Sequence, residues 1–271
     1  MKKIILVVFI LLSALSFSEN EMNKRRNEQD YKISLGFMGG YGSKLYKNDE
    51  KNTRYVPIIG LVSKNFYILG TEVGYKKELN SQTSITGFSQ LFGGLSLQGI
   101  GGVIGGTQLN NSDMEKGYKG INDRKTQVEF GLRLSYETKY QDIKLLTEIR
   151  GGERGNSGKI SIIRPIFITK KFLVIPQINL TLLDSDMVDY YFGITEDEVN
   201  NPKNTELNQV YNPDDFELAS SVGLTAKYNF TSKWSMFTIA EIQYIGNEIG
   251  DSPIVNSQIN YFMGLGLRYD F

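Results

Sequence analysis

The chain is predicted to be all-β, a transmembrane antiparallel up-and-down β-barrel of about 12 strands, or about 10 or 14 if its hairpins divide differently. Three observations predict it. From Gln258 to Phe271 the apolar residues Ile259, Tyr261, Met263, Leu265, Leu267, Tyr269 and Phe271 alternate with polar or small ones, Phe262 excepted. That is a strand with one greasy face, far longer than the about five or six residues usual in soluble sheets. Second, Lys2 and Lys3 precede an apolar run from Ile4 to Leu15 and the small-residue segment Ser16-Phe17-Ser18. This is the pattern of a cleaved secretory signal, too short for a helix spanning a bilayer. Third, short turns alternate with longer connections along the chain, as in outer-membrane barrels.

The elements follow in order. Residues 1–18 are expected to be the signal peptide, 19–30 a flexible periplasmic N-terminus of polar and charged residues, and 31–271 the barrel. Tyr31, Ile33, Leu35 and Phe37 alternate with Lys32, Ser34, Gly36 and Met38. Tyr55 to Ser63 and Phe66 to Lys76 flank a turn at Lys64-Asn65. Thr83 to Phe92 and Leu95 to Gln108 flank Gly93-Gly94, and 109–124 reads as a polar loop. Val128 to Tyr136 and Ile143 to Ile149 are joined near Gln141-Asp142. A glycine-rich outer loop spans Gly151 to Gly158. Ile160 and Ile162 share one parity, while Ile163, Pro165 and Phe167 share the other, which predicts a β-bulge at Ile162-Ile163. Phe172 to Leu182, Phe216 to Phe230 and Trp234 to Tyr244 complete the set. Short turns fall at 64–65, 93–94, 140–142, 169–171 and 231–233. Outer loops fall at 43–53, 77–82, 109–124, 152–158, 184–215 and 246–257.

A soluble β-sandwich would also alternate, with its apolar face inward. Strand length, glycine, serine and threonine on the polar face, and aromatics at strand ends favour apolar-out. Lipid then covers the outside. Tyr269 and Phe271 resemble the C-terminal signal read by the barrel-assembly machinery.

Composition limits the chemistry. Lys plus Arg and Asp plus Glu are both 30, which gives no basic excess for nucleic acid. There is no histidine and no cysteine, so imidazole-based nucleophilic catalysis, imidazole or thiolate metal sites and disulfides are ruled out. The chain is read as no enzyme and as needing no cofactor; a carboxylate-pair glycosidase is the lowest-ranked alternative. Asp184, Asp186 and Asp189 lie near one another in sequence and form a weak calcium candidate, with a solvated acidic loop the blander reading. Gly99 to Gly106 lacks the lysine and helix of a phosphate-binding loop. The lumen-facing charges are Glu129, Arg133, Glu137, Lys144, Glu148, Arg150, Glu217, Lys227, Glu241 and Arg268. A salt-bridged network filling a narrow barrel is preferred over a pore lining.

Two loops carry a family resemblance. Asp189-Tyr190-Tyr191-Phe192-Gly193-Ile194-Thr195 resembles the YFGVT segment of the MipA/OmpV family of outer-membrane proteins. Gly250-Asp251-Ser252-Pro253-Ile254-Val255 resembles that family's DSPIV segment before the final strand, and Tyr118-Lys119-Gly120-Ile121 is a looser echo. The resemblance implies an outer-membrane barrel; some members of that family bind a periplasmic murein transglycosylase and so act as scaffolds, and others are linked to adhesion or to osmotic and antibiotic response. With no catalytic groups in the chain, the leading reading is a scaffold with a murein transglycosylase as its partner. A narrow channel for small solutes and a surface adhesin are the alternatives. Three consecutive aromatics in an exposed loop would be sticky. Tyr190, Tyr191 and Phe192 are therefore expected to fold into the barrel mouth against Pro253 and Ile254 as a lid.

Overall fold

Hydrogen-bonded neighbours run round a closed antiparallel ring in the computed structural model, which describes residues 31–48, 52–90, 109–140 and 142–271. The strands are β1 (Tyr31–Gly42), β2 (Thr53–Ser63), β3 (Phe66–Leu69), β4 (Glu72–Glu78), β5 (Thr83–Gln90), β6 (Glu129–Glu137) and β7 (Lys144–Gly152). They continue with β8 (Gly155–Ile163), β9 (Ile166–Phe167), β10 (Phe172–Leu183), β11 (Glu217–Asn229), β12 (Trp234–Ile245) and β13 (Ile259–Asp270). The terminal strands β1 and β13 pair from Ser34↔Asp270 to Gly42↔Phe262, and β10 pairs β11, so no edge remains between first and last strands. Since β9 continues β8 along the same partner β10, the wall has 12 strands. A closed ring satisfies backbone groups inside lipid, which an open sheet cannot do.

The alternation reads apolar-out. On β13, Ile259, Met263, Leu265 and Leu267 are exposed while Asn260 and Phe262 are buried in the lumen. The same parity exposes Leu35 and Phe37 on β1 and Ile178, Leu180 and Leu182 on β10. At the short-turn end, Trp234 and Tyr269 lie 5.0 Å apart and Tyr269 and Phe271 4.8 Å apart, both edge-on. Phe271 N–H donates to the Ile33 carbonyl, so the last residue is stitched to the first strand.

Five expectations are corrected. The predicted strand Phe66 to Lys76 is cut by a turn at Gly70-Thr71, where Gly70 takes φ 59°, a left-handed conformation that favours glycine. The β3–β4 hairpin therefore stops part-way up the wall. Because β4 runs back down, 79–82 lies at the short-turn end and not among the outer loops. The predicted strand Leu95 to Gln108 and its turn Gly93-Gly94 lie outside the described residues, as do residues 1–30. The described β5 pairs directly with β6, so 12 strands are reached by a different partition.

The glycine-rich segment after β7 is a tight turn at Glu153-Arg154, with Gly155 at φ 120°. No bulge sits at Ile162-Ile163. Pairing of Ile163 with Gln177 and of Ile166 with Val174 keeps one register, interrupted only at Arg164 and Pro165. Pro165 lacks a ladder donor, which breaks the strand without shifting it. Ile163, Pro165 and Phe167 thus share the parity of the lumen side, giving it apolar character near the short-turn end. Finally, 184–215 and 246–257 are not plain loops: they hold α1 (Ser185–Phe192), α2 (Glu196–Val199) and α3 (Asn247–Gly250).

Candidate functional site

The long-loop end carries the largest described hydrophobic core. Helix α1 begins where the Asp184 side chain accepts the Met187 N–H at 3.0 Å, a standard N-cap. Helical spacing then puts Met187, Val188, Tyr191 and Phe192 on one buried face. Tyr46 stacks on Phe192 at 5.6 Å between ring centroids, and its hydroxyl donates to the Tyr191 carbonyl. Ile254 and Val255 join the same core, with Leu109, Met114 and Ile121 from the segment expected to be a polar loop. Ser252 Oγ donates to the Phe192 carbonyl at 2.6 Å. Lys47 N–H donates to the Ile254 carbonyl, so the first long loop is laced to the last.

The two family-like segments are therefore in contact. Of the first, Tyr191, Phe192, Gly193 and Ile194 are buried; Tyr190 is half-buried beneath the Arg154 guanidinium, 4.0 Å from its ring, and Thr195 is exposed. Of the second, Ser252, Ile254 and Val255 are buried, Pro253 is half-buried and Asp251 is exposed.

An ion pair locks this cap. Arg124 Nη2 lies 2.9 Å from Glu198 Oε1, with side chains 8% and 1% exposed. The same Nη2 donates to the Gly193 carbonyl. Glu198 is held by a capping box: its Oε2 accepts the Thr195 N–H and its own N–H donates to Thr195 Oγ1. Sequence reading missed Arg124 and Glu198. The Thr195-x-x-Glu198 spacing was the available signal, and it lay inside a segment read as loop.

Asp184, Asp186 and Asp189 form no metal cluster among the described residues. Asp184 is occupied as the α1 cap and also accepts the Asn156 N–H at 2.7 Å. Burial pushes the Asp189 carboxyl above its ordinary value, against the nearby Arg124, which pulls it down. Burial likewise raises the Tyr46 phenol well above 10.0.

Apart from Glu217, the lumen charges fall into three groups. On the β4–β8 wall, Arg133 forks between Glu72 Oε2 at 2.8 Å and Glu148 Oε2 at 2.7 Å, its guanidinium 4.5 Å from the Phe88 ring. Arg150 lies 3.5 Å from Glu129 and donates to Ser157 Oγ at 2.9 Å. Glu72 was missed because the Gly70-Thr71 turn hid the parity of β4. At the short-turn rim, Glu137 pairs with Lys144 at 3.6 Å, and Arg268 with Asp270 at 2.7 Å. Glu217 is a correction: it lies at the cap, where its carboxylate accepts the Gly246 N–H at 2.7 Å and the Ile249 N–H at 3.0 Å at the start of α3. On the opposite wall Glu241 is buried and Lys227 half-buried. Near them Met38, Ile239 and Phe262 form a second apolar cluster inside the barrel.

The family model described as "MltA-interacting protein MipA" matches residues 35–271. The chain is 27% identical over 240 residues to a 24 kDa outer membrane protein of Pasteurella multocida, covering 85% of this chain and 87% of that one. It is 26% identical over 248 residues to the MltA-interacting protein of Escherichia coli, covering 89% and 90%. Among solved structures, the NanC porin matches with a TM-score of 0.41 at 12% identity, covering 87% of this chain and 98% of that one. The described strands close into a barrel with an apolar outside, and its relatives are outer-membrane proteins, so the chain is an outer-membrane β-barrel that belongs to the MltA-interacting protein MipA family.

Proposed function

We propose that this barrel is a non-enzymatic scaffold of the cell envelope, capped on its outer side, that docks a murein-hydrolysing transglycosylase on its periplasmic rim. One observation carries the reading. Pairwise contacts between loops bury an apolar core over the outer mouth, and a buried ion pair locks it, while Arg133 and Arg150 fill one side of the lumen with paired charge. Such a mouth favours contact over passage. The Escherichia coli relative's name supports a murein enzyme as the partner. The periplasmic turns expose Lys64, Lys139, Lys170, Lys171 and Lys233, a basic rim suited to an acidic protein surface.

The test is direct binding between the refolded, immobilised barrel and a purified periplasmic murein transglycosylase. Saturable binding, weakened when Lys170 and Lys171 are both changed to Glu, is expected. No binding at micromolar enzyme would sink the scaffold reading. In planar bilayers the same barrel should be silent; discrete, reproducible openings would replace this reading with the narrow channel.

A further inference from the structure

A cavity of about 210 Å³ lies in the lower lumen, between β1–β3 and β10–β13. Its apolar lining comes from Met38, Ile58, Leu69, Ile175, Phe237 and Ile239. Two hydroxyls also line it: Ser34 Oγ donates to the Gly60 carbonyl at 3.5 Å, and the other is Thr225. Thr225, 7% exposed, lines this cavity, and its Oγ1 is buried without a hydrogen-bond partner among the described residues. Its neighbours across the strands, Ile175 and Ile239, line the cavity too. A buried polar atom left unmatched in a native barrel calls for an explanation.

The cavity is charged at one end only. Lys227 and Arg268 lie at its periplasmic side, and Lys227 also lines a wider vestibule of about 550 Å³ with Lys32, Lys170, Lys171 and Asp270. Asp270 is engaged by Arg268 at 2.7 Å and Lys32 at 3.3 Å. Lys227 has no ion pair or side-chain hydrogen bond among the described residues, although it is half-buried. A half-buried ammonium beside an apolar pocket is costly unless an anion meets it.

We propose that the lower lumen binds a medium-chain alkyl carboxylate that enters from the periplasmic side. The alkyl chain fills the apolar cavity, the carboxylate meets Lys227 with Arg268 beside it, and the Thr225 hydroxyl donates to a carboxylate oxygen. At about 210 Å³ the cavity has room for an alkyl chain of medium length. This site goes beyond the scaffold reading and does not rest on it.

The experiment is calorimetric titration of octanoate into the refolded full barrel in phosphatidylcholine nanodiscs, corrected with empty nanodiscs. Saturable binding to one site is expected, with acetate and octylammonium giving none. Lys227→Gln should weaken octanoate at least tenfold, and Thr225→Val severalfold. Ile239→Phe, which fills the cavity and keeps every charge, should abolish binding and decides the matter if Lys227→Gln does not give a heat-modifiable, folded barrel. Octanoate heats unchanged in the folded variants would mean partition into lipid alone and overturn the site. Acetate binding as tightly as octanoate would reduce it to a bare anion contact in the vestibule and overturn it equally.

Discussion

Ser252 Oγ and the Phe192 carbonyl oxygen are 2.6 Å apart, and this one hydrogen bond ties the segment before the last strand to the end of α1. Both groups are buried in the outer cap. Ser252→Ala leaves the carbonyl without this donor, at a cost of about 1–3 kcal/mol to cap closure. The ring of strands does not depend on the contact. The variant should therefore keep heat-modifiable migration while its loops at 184–215 become sensitive to protease in intact vesicles. Wild-type resistance in Ser252→Ala would show that the cap is held elsewhere.

Arg124 and Glu198 form the deepest ion pair of the cap. Removing one partner strands the other in an apolar setting, so Arg124→Met should destabilise the cap by about 3–5 kcal/mol. Part of that loss comes from the Gly193 carbonyl, which Arg124 also holds. Adding Glu198→Gln to Arg124→Met should recover some of it, because the unpaired charge is gone. A double-mutant cycle from urea midpoints, read by cap protection in hydrogen exchange, measures the coupling. Additive losses would mean the pair contributes nothing beyond its separate contacts.

Inside the barrel, Arg133 sits between Glu72 and Glu148. Arg133→Leu removes the cation and leaves two carboxylates facing the space it filled. We expect a lower unfolding midpoint in urea and, in planar bilayers, brief cation-selective openings where the native barrel is silent. Glu72→Gln with Arg133→Leu should regain stability by relieving the repulsion. Unaltered midpoints in both variants would remove the network from any account of barrel stability.

The cap should also loosen in alkali. Burial raises the Tyr46 phenol well above 10.0, and burial pushes Tyr211 up to about 12. Each folded phenol holds its proton where an unfolded one would release it. Stability is thus unaffected below about pH 10 and falls as pH rises beyond it. Absorbance at 295 nm should show a delayed tyrosine titration in step with loop proteolysis. Tyr46→Phe should flatten the dependence at the cost of the bond to the Tyr191 carbonyl. If ionisation and proteolysis separate by more than a pH unit, Tyr46 is not the titrating group.

The barrel was legible because period-two alternation is local. Ile259 to Leu267 declare their lipid face without knowing their neighbours, and so do Leu35, Phe37 and Ile178 to Leu182. Where the pattern mixed parities, reading failed for a physical reason. Ile163, Pro165 and Phe167 looked like a bulge because a lumen was expected to be polar, yet the register runs straight and this part of the lumen is apolar. Gly70-Thr71 looked like mid-strand because only the partner strands reveal a two-residue reversal.

The class of the fold, its lipid face, its closing seam and the two segments that meet in the cap are all written locally, in spacing or in short motifs. Which charges pair is not. Glu217 turns out to cap α3, Glu72 completes the Arg133 fork, and Glu198 finds Arg124 across the outer loops. Those partners come from distant strands and loops brought together by ring closure, and their energies depend on burial, which no single stretch of sequence carries.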